Sequence, residues 1–149
     1  MAALVLVGAV DWRRAAWRGR FYPDSLPEDW ELSYYNTQFQ AVYLPVDAWM
    51  GVAESTWSQW LYDTHEGFVF VLEPMAGAAP PTASTRVVIA DPVWAQAHIW
   101  WLDESTDLRA LARRITEHAA RSEPLFIFSR NGDLARLEEA QSLRHVMGY

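Results

Sequence analysis

Short, uniformly apolar segments alternate along this chain with segments whose apolar residues recur at helical spacing. A strand that is apolar throughout is buried on both faces, as in a parallel sheet covered by helices. This alternation predicts an α/β protein with a mostly parallel sheet of five or six strands flanked by helices. The predicted strands span residues 3–10, 40–46, 68–72, 86–90, 97–102 and 124–129.

Four longer segments, three between these strands and one after the last, are predicted to be helices. Pro27 precedes the first, an apolar stripe at Trp57, Trp60 and Leu61 marks the second, and Ser105 or Thr106 is the predicted N-cap of the third. The helices are expected at residues 28–38, 54–63, from 105 or 106 to 121, and at 133–147, with a turn or a single helical turn in DPVWAQ at 91–96.

A length of 149 residues fits one domain, so we predict a single α/β domain over residues 1–149. The segment PMAGAAPPTAST at 74–85 is rich in proline, alanine and small polar residues. It is predicted to be a mobile loop, and it is the candidate boundary inside the domain.

The composition excludes several kinds of chemistry. All twelve basic side chains are arginine, so Schiff-base chemistry and a P-loop lysine are impossible. There is no cysteine, which excludes disulfides and thiolate zinc sites. A net charge of -7 argues against a nucleic-acid surface.

The amino-terminal sequence MAALVLVGAVDWRR is apolar for only about nine residues and has no basic leader. It is predicted to be a first strand, because a membrane-spanning helix needs about 20 apolar residues. We therefore expect no membrane association and a cytoplasmic location.

Residues 7–44 resemble the amino-terminal end of a known family. The matching positions flank the first strand, follow it, and precede the second strand: Gly8, Trp12, Trp17, Gly19, Phe21, Tyr22, Pro23, Leu32, Tyr34, Tyr35 and Phe39. This pattern is similar to the YecE-like family, the domain of unknown function numbered seventy-two. The segments 57–73 and 107–129 resemble the family's second helix and third strand, and its carboxyl-terminal helix and strand.

The resemblance implies a TIM-barrel-like fold, and a complete barrel typically needs about 250 residues. This chain is therefore expected to be a shortened member with an incomplete barrel, the deletion lying at 74–85. Incomplete closure exposes sheet edges, which must be covered or paired. We therefore expect a homodimer in which the exposed sheet edges are paired.

The polar positions of the family are largely replaced. The family's Gly-Thr-Ser-Gly-Trp segment is here Gly8-Ala9-Val10-Asp11-Trp12. Tyr43 and Pro45 stand at its Glu and Asn pair, and Glu73 ends the strand that carries its lysine. Ser129-Arg130-Asn131 only partly matches its consecutive asparagines. The family's chemistry is therefore not carried over to this chain.

The segment WRRAAWRGRFYP at 12–23 is the strongest local candidate for binding. Four arginines stand among four aromatic residues, and stacked guanidinium groups suit phosphates, carboxylates or bases. The alternative is a packed loop whose arginines pair with acidic side chains. The candidate ligand-binding residues are Asp11, Arg13, Arg14, Trp17, Arg18, Arg20, Tyr43, Asp47, Glu73 and Arg130.

Four acidic residues, Asp11, Asp47, Glu73 and Asp103, fall at or just beyond predicted strand ends. Converging carboxylates would serve acid/base catalysis or hold Mg²⁺, whereas separate ones would cap turns. The four histidines have no zinc-binding spacing, and no nucleotide-binding or serine-hydrolase motif occurs. We predict no metal and no cofactor.

Three functional hypotheses follow. The first is a binding or assembly module that recognises a small anionic ligand through Arg14, Arg18 or Arg20. The second is a hydrolase-like enzyme acting on a phosphorylated or sugar-like compound through Asp11, Asp47 or Glu73. The third is an interaction module whose rim is plugged by aromatic side chains such as Trp17 and Tyr43.

Among the nine tryptophans, adjacent Trp100 and Trp101 are expected on opposite faces of one strand.

Overall fold

The computed structural model describes residues 3–149 and is an α/β structure with six strands flanked by helices. All six predicted strands are present, each one to three residues shorter than predicted, and residues 97 and 98 of the predicted fifth strand are helical. They are β1 (Val5–Ala9), β2 (Ala41–Leu44), β3 (Val69–Leu72), β4 (Val87–Ile89), β5 (Ile99–Trp101) and β6 (Leu125–Ser129).

The helices lie between and after these strands. They are α1 (Glu31–Gln38), α2 (Val46–Trp49), α3 (Glu54–Tyr62), α4 (Pro92–His98), α5 (Leu108–Ala120) and α6 (Leu134–Val146). Three short 3₁₀ turns span Ala15–Trp17, Glu28–Trp30 and Leu102–Glu104.

The strands form two parallel three-stranded sheets, in the orders β1-β6-β5 and β2-β3-β4. The sheets meet along β1 and β2, where a single bridge joins Val10 to Tyr43. The six strands do not close a barrel, and β4 and β5 are the end strands. Pairing of these edges with a second copy of the chain stays a prediction.

One side chain of α1 bridges the junction between β1 and β2. The hydroxyl of buried Tyr35 donates to the carbonyl of Ala41 at 2.7 Å and accepts the N–H of Ala9 at 2.8 Å. Gly8 lets the strands approach, because a Cβ there would lie 1.8 Å from the Ala41 carbonyl oxygen. Tyr35 thus satisfies the backbone groups in the middle of the junction, while backbone hydrogen bonds from Gln40 to Val7 and from Asp11 to Tyr43 join its two ends.

Alternation along the strands produces two hydrophobic clusters, since successive strand side chains face opposite ways. The outer cluster lies between the sheets and the helices, with Trp57 of α3 and Ile115 of α5 among its buried members. The inner cluster contains Tyr43 and Phe128, with Trp101 packed against it. Trp100 packs against the outer cluster, so the prediction that these neighbouring tryptophans face opposite sides is confirmed.

Two local predictions were wrong. The N-cap of α5 is Asp107, not Ser105 or Thr106, because the Asp107 carboxylate accepts the N–H groups of Arg109 and Ala110, both at 3.0 Å. The segment expected to be at most one helical turn extends to the helix α4. Packing of its Trp94 on Phe126, with ring centroids 5.4 Å apart, accounts for this extension.

Residues 73–86, which connect the neighbouring parallel strands β3 and β4, form no helix. Parallel neighbours are usually joined by a crossover helix. The helix missing here falls in the segment where the sequence places the deletion. Among residues 3–149, no helix is both long and apolar enough to cross a membrane.

Candidate functional site

Aromatic side chains fill the inner space near the carboxyl ends of the strands. The ring of Tyr43 contacts those of Trp101 and Phe128, with centroids 5.2 and 5.8 Å away. The Arg130 guanidinium lies 3.7 Å from the centroid of the Trp101 ring. Burial, with a smaller contribution from Glu73, raises the pKa of Tyr43. The position where barrel enzymes place their chemistry is therefore packed with aromatic groups.

Trp17 does not belong to this group of aromatic side chains at the strand ends. It is buried in the outer cluster, where its ring stacks on that of Tyr35 with centroids 6.1 Å apart. Its indole N–H donates to the carbonyl of Gly132 at 3.0 Å. Trp17 thus holds the loop before α6 against the segment after β1.

The strand-end carboxylates bind separate local partners. Asp11 forms an ion pair with Arg13 at 3.0 Å, and the Glu73 carboxylate accepts the N–H of Val46 at 2.9 Å. Asp47 is exposed in the first turn of α2. Asp103 accepts the hydroxyl of Ser129 at 3.0 Å and the N–H groups of the following two residues. Asp11, Glu73 and Asp103 are therefore each held by a different structural partner, and the side chain of Asp47 has no hydrogen-bond or ion-pair partner within residues 3–149.

Two arginines of the 12–23 segment are engaged by acidic side chains. Besides its pair with Asp11, Arg13 lies over the ring of Trp12, 4.6 Å from the centroid. Arg18 contacts Glu28 at 2.5 Å and Glu31 at 3.9 Å. Their charges are therefore largely neutralised within the protein.

Arg14 and Arg20 differ in what they contact. The Arg14 guanidinium donates to the carbonyls of Val10 at 2.6 Å and Arg130 at 2.7 Å, which ties the ends of β1 and β6 together. Burial lowers the pKa of Arg14. Arg20 is exposed and has no ion-pair or hydrogen-bond partner for its side chain within residues 3–149. Both line a cavity of about 320 Å³ that Asn131 and Asp133 also border.

A larger groove of about 1070 Å³ lies between α1, α3 and the segment after β1. Arg13 and Arg18 line it, and so do four acidic residues: Glu28, Asp29, Glu31 and Asp63. Three tryptophans, Trp12, Trp30 and Trp60, complete its wall. Trp30 is 64% exposed, and the Trp60 ring centroid lies 5.5 Å from the Arg13 guanidinium. With two arginines against four carboxylates, the lining carries a net negative charge.

Glu31 is the buried acid of this groove, hereafter called the α1–α3 groove. It is only 4% exposed, at the first residue of α1. Its ion-pair partner in the described chain is Arg18, whose Nε is 3.9 Å away. Burial raises the pKa of Glu31, and Arg18 counteracts part of that effect. A buried carboxylate with so distant a counterion is costly to keep in a folded protein.

Replacing Glu31 by glutamine is expected to raise the melting temperature at pH 7.5. In the folded state the pKa is raised, so the charged form destabilises the fold at neutral pH. As the pH falls through the folded pKa, Glu31 binds a proton and the difference between wild type and Glu31→Gln should shrink. Thermal melts of both proteins at pH 7.5 and 4.5 measure the difference in melting temperature at each pH. A difference that grows on acidification would contradict the prediction.

Glu31 and Trp30 are not among the ligand-binding residues predicted from the sequence. Glu31 stands in a run of acidic residues, 28–31, beside a predicted helix start, where acidic side chains are common. Its burial requires the folded chain, in which Arg18 of the 12–23 segment lies beside it. The signal available was the aromatic Trp30 within that acidic run.

The fold is that of an α/β protein, with parallel strands, helices between them and a packed inner face. The α1–α3 groove is large enough to hold a small ligand. Residues 6–76 match a family model described as Protein of unknown function DUF72. The match confirms the family resemblance for this segment, which holds β1 to β3 and the α1–α3 groove. The resemblance at 107–129 stays a prediction. Comparison with curated proteins and with solved structures gave no match.

Proposed function

We propose that this chain is a binding module whose ligand is a small organic cation, an amine or a guanidinium compound, held in the α1–α3 groove. The observation that carries the proposal is the buried carboxylate of Glu31 in the groove wall. A cationic ligand would supply the close counterion that Arg18, at 3.9 Å, does not.

The aromatic part of the wall supports the same ligand class. Trp30 exposes 64% of its surface, and Trp60 borders the same space. Tryptophan faces attract amines and guanidinium groups through cation–π contacts worth about 0.5–2 kcal/mol. Arg13 already uses this interaction over Trp12 and Trp60, at 4.6 and 5.5 Å. Tryptophan rings of the groove therefore already bind one guanidinium group, that of Arg13.

The test is isothermal titration calorimetry with agmatine, spermidine and choline at low ionic strength. We expect at least one to bind, and Glu31→Gln and Trp30→Ala each to weaken that binding by about tenfold or more, since both remove a contact of about 1.4 kcal/mol. Tyr62→Ala is the control, because Tyr62 is an aromatic residue of α3, 86% exposed, outside the groove lining. No binding of any of the three, or equal binding by all variants, would refute the proposal.

An anionic ligand at Arg20 is the second candidate, favoured by the absence of any side-chain partner for Arg20 within residues 3–149 and by the cavity it lines with Arg14. Inorganic phosphate is the probe for this candidate. Binding of phosphate that Arg20→Gln abolishes and Glu31→Gln leaves unchanged would favour it over the cation. The hydrolase-like alternative receives no comparable support, because two of its candidate acids, Asp11 and Glu73, are held by separate partners and Asp47 is exposed.

A further inference from the structure

Two histidines and a glutamate from separate segments converge near Pro124, directly before β6. His98 ends α4, His118 lies in the last turn of α5, and Glu123 follows α5. One ring nitrogen of each histidine and one carboxylate oxygen of Glu123 lie within 4.8 Å of one another. His118 is fully buried, while the other two are partly exposed. The cluster is therefore reachable from solvent.

The hydrogen bonds of the two imidazoles fix their tautomers. Nδ1 of His98 and Nδ1 of His118 lie 3.0 and 3.1 Å from the carbonyl oxygen of Pro124. A carbonyl oxygen only accepts, so each Nδ1 donates its proton to it, which leaves Nε2 as the atom of each neutral ring that can bind a metal. Metal-binding histidines are typically oriented by such a bond from the other ring nitrogen to a backbone carbonyl. Burial, followed by the charge of Arg114, lowers the pKa of His118.

Arginines occupy the cluster in this structure. Nε of Arg114 donates to Nε2 of His118 at 3.0 Å, and its Nη2 donates to the carbonyls of Gln96 and Ala97. Arg121 pairs with Glu123 at 3.4 Å. Positive charge therefore already lies against the lone pair of His118 and the carboxylate. An incoming cation would replace the Arg114 contact at His118.

We propose that His98, His118 and Glu123 form a binding site for a divalent transition cation of the zinc class, with Arg114 as the competing occupant of His118. Two imidazole nitrogens and one carboxylate oxygen are a donor set that Zn²⁺ takes in proteins, with a further position open to water. The competition with Arg114 makes binding weaker than in a closed structural zinc site. This proposal does not depend on the ligand of the α1–α3 groove.

The test is titration of the metal-free protein with Zn²⁺ by calorimetry and with Co²⁺ by visible absorption. We expect one ion per chain, with ligand-field bands of Co²⁺ bound to nitrogen. His98→Gln and Glu123→Gln should each weaken binding by about 10–100-fold, and both residues are exposed enough for the variants to fold. His65→Gln and His145→Gln are the matched controls, because these histidines lie outside the cluster.

Arg114→Gln provides the opposite change. Removal of the competing guanidinium should tighten Zn²⁺ binding, whereas a purely structural histidine pair would show no such gain. Absence of binding by the wild type would overturn the proposal. So would binding that His98→Gln and Glu123→Gln leave unchanged, which would place the ion on other surface groups.

Discussion

Gly8→Ala should yield little or no soluble folded protein. The new Cβ would lie 1.8 Å from the Ala41 carbonyl oxygen and 2.7 Å from the Tyr35 hydroxyl. The first obstacle is the backbone of β2, which cannot rotate away as a flexible side chain would. Losses above about 4 kcal/mol are expected where a substitution breaks packing and buried hydrogen bonds together. Soluble yield and a circular dichroism melt measure the effect.

Gly67→Ala is the control for Gly8→Ala. A Cβ at Gly67 would meet only the side chain of His65, at 3.4 Å. This variant should therefore melt close to the wild type. If Gly8→Ala also melted within a few degrees of the wild type, β1 and β2 would not approach as closely as the structure shows.

Tyr35→Phe should destabilise the protein by roughly 2–4 kcal/mol, because it leaves two buried backbone groups without a partner. These groups are the N–H of Ala9 and the carbonyl of Ala41. The aromatic ring stays in place, so packing is nearly unchanged. Urea denaturation followed by tryptophan fluorescence gives the free energy of unfolding.

Tyr34→Phe is the matched control from the neighbouring position of α1. Its ring packs on Phe21 at 5.2 Å, and its hydroxyl makes no hydrogen bond within residues 3–149. The variant should keep nearly the full free energy of unfolding. Equal losses in the two variants would mean that the Tyr35 hydroxyl does not join the strands.

The order and kind of the main elements could be predicted from the sequence, because local hydrophobic periodicity determines them. The ends of the helices and strands were predicted less accurately. Asp107 takes the N-cap because its carboxylate reaches two free N–H groups, and Ser105 instead accepts the N–H of Asp107 at 3.2 Å. The helix α4 is stabilised by packing of Trp94 on Phe126, a contact that local sequence does not reveal.

The site was predictable only in part, for the same reason. The arginine-rich segment after β1 does line both cavities, but its partners lie far along the chain. Arg14 binds the carbonyl of Arg130, more than a hundred residues away. The burial of Glu31 and the meeting of His98 with His118 likewise require the folded arrangement.

Pairing of the first strand with the last places a demand on biosynthesis. Val5 lies opposite Leu125 and Ala9 opposite Ser129, so β1 gains its neighbour β6 only after most of the chain has been translated. Until then its apolar residues have no sheet to join on that side, and exposed strand edges favour aggregation. The sheet of β1, β6 and β5 can therefore be completed only after β6 has been synthesised.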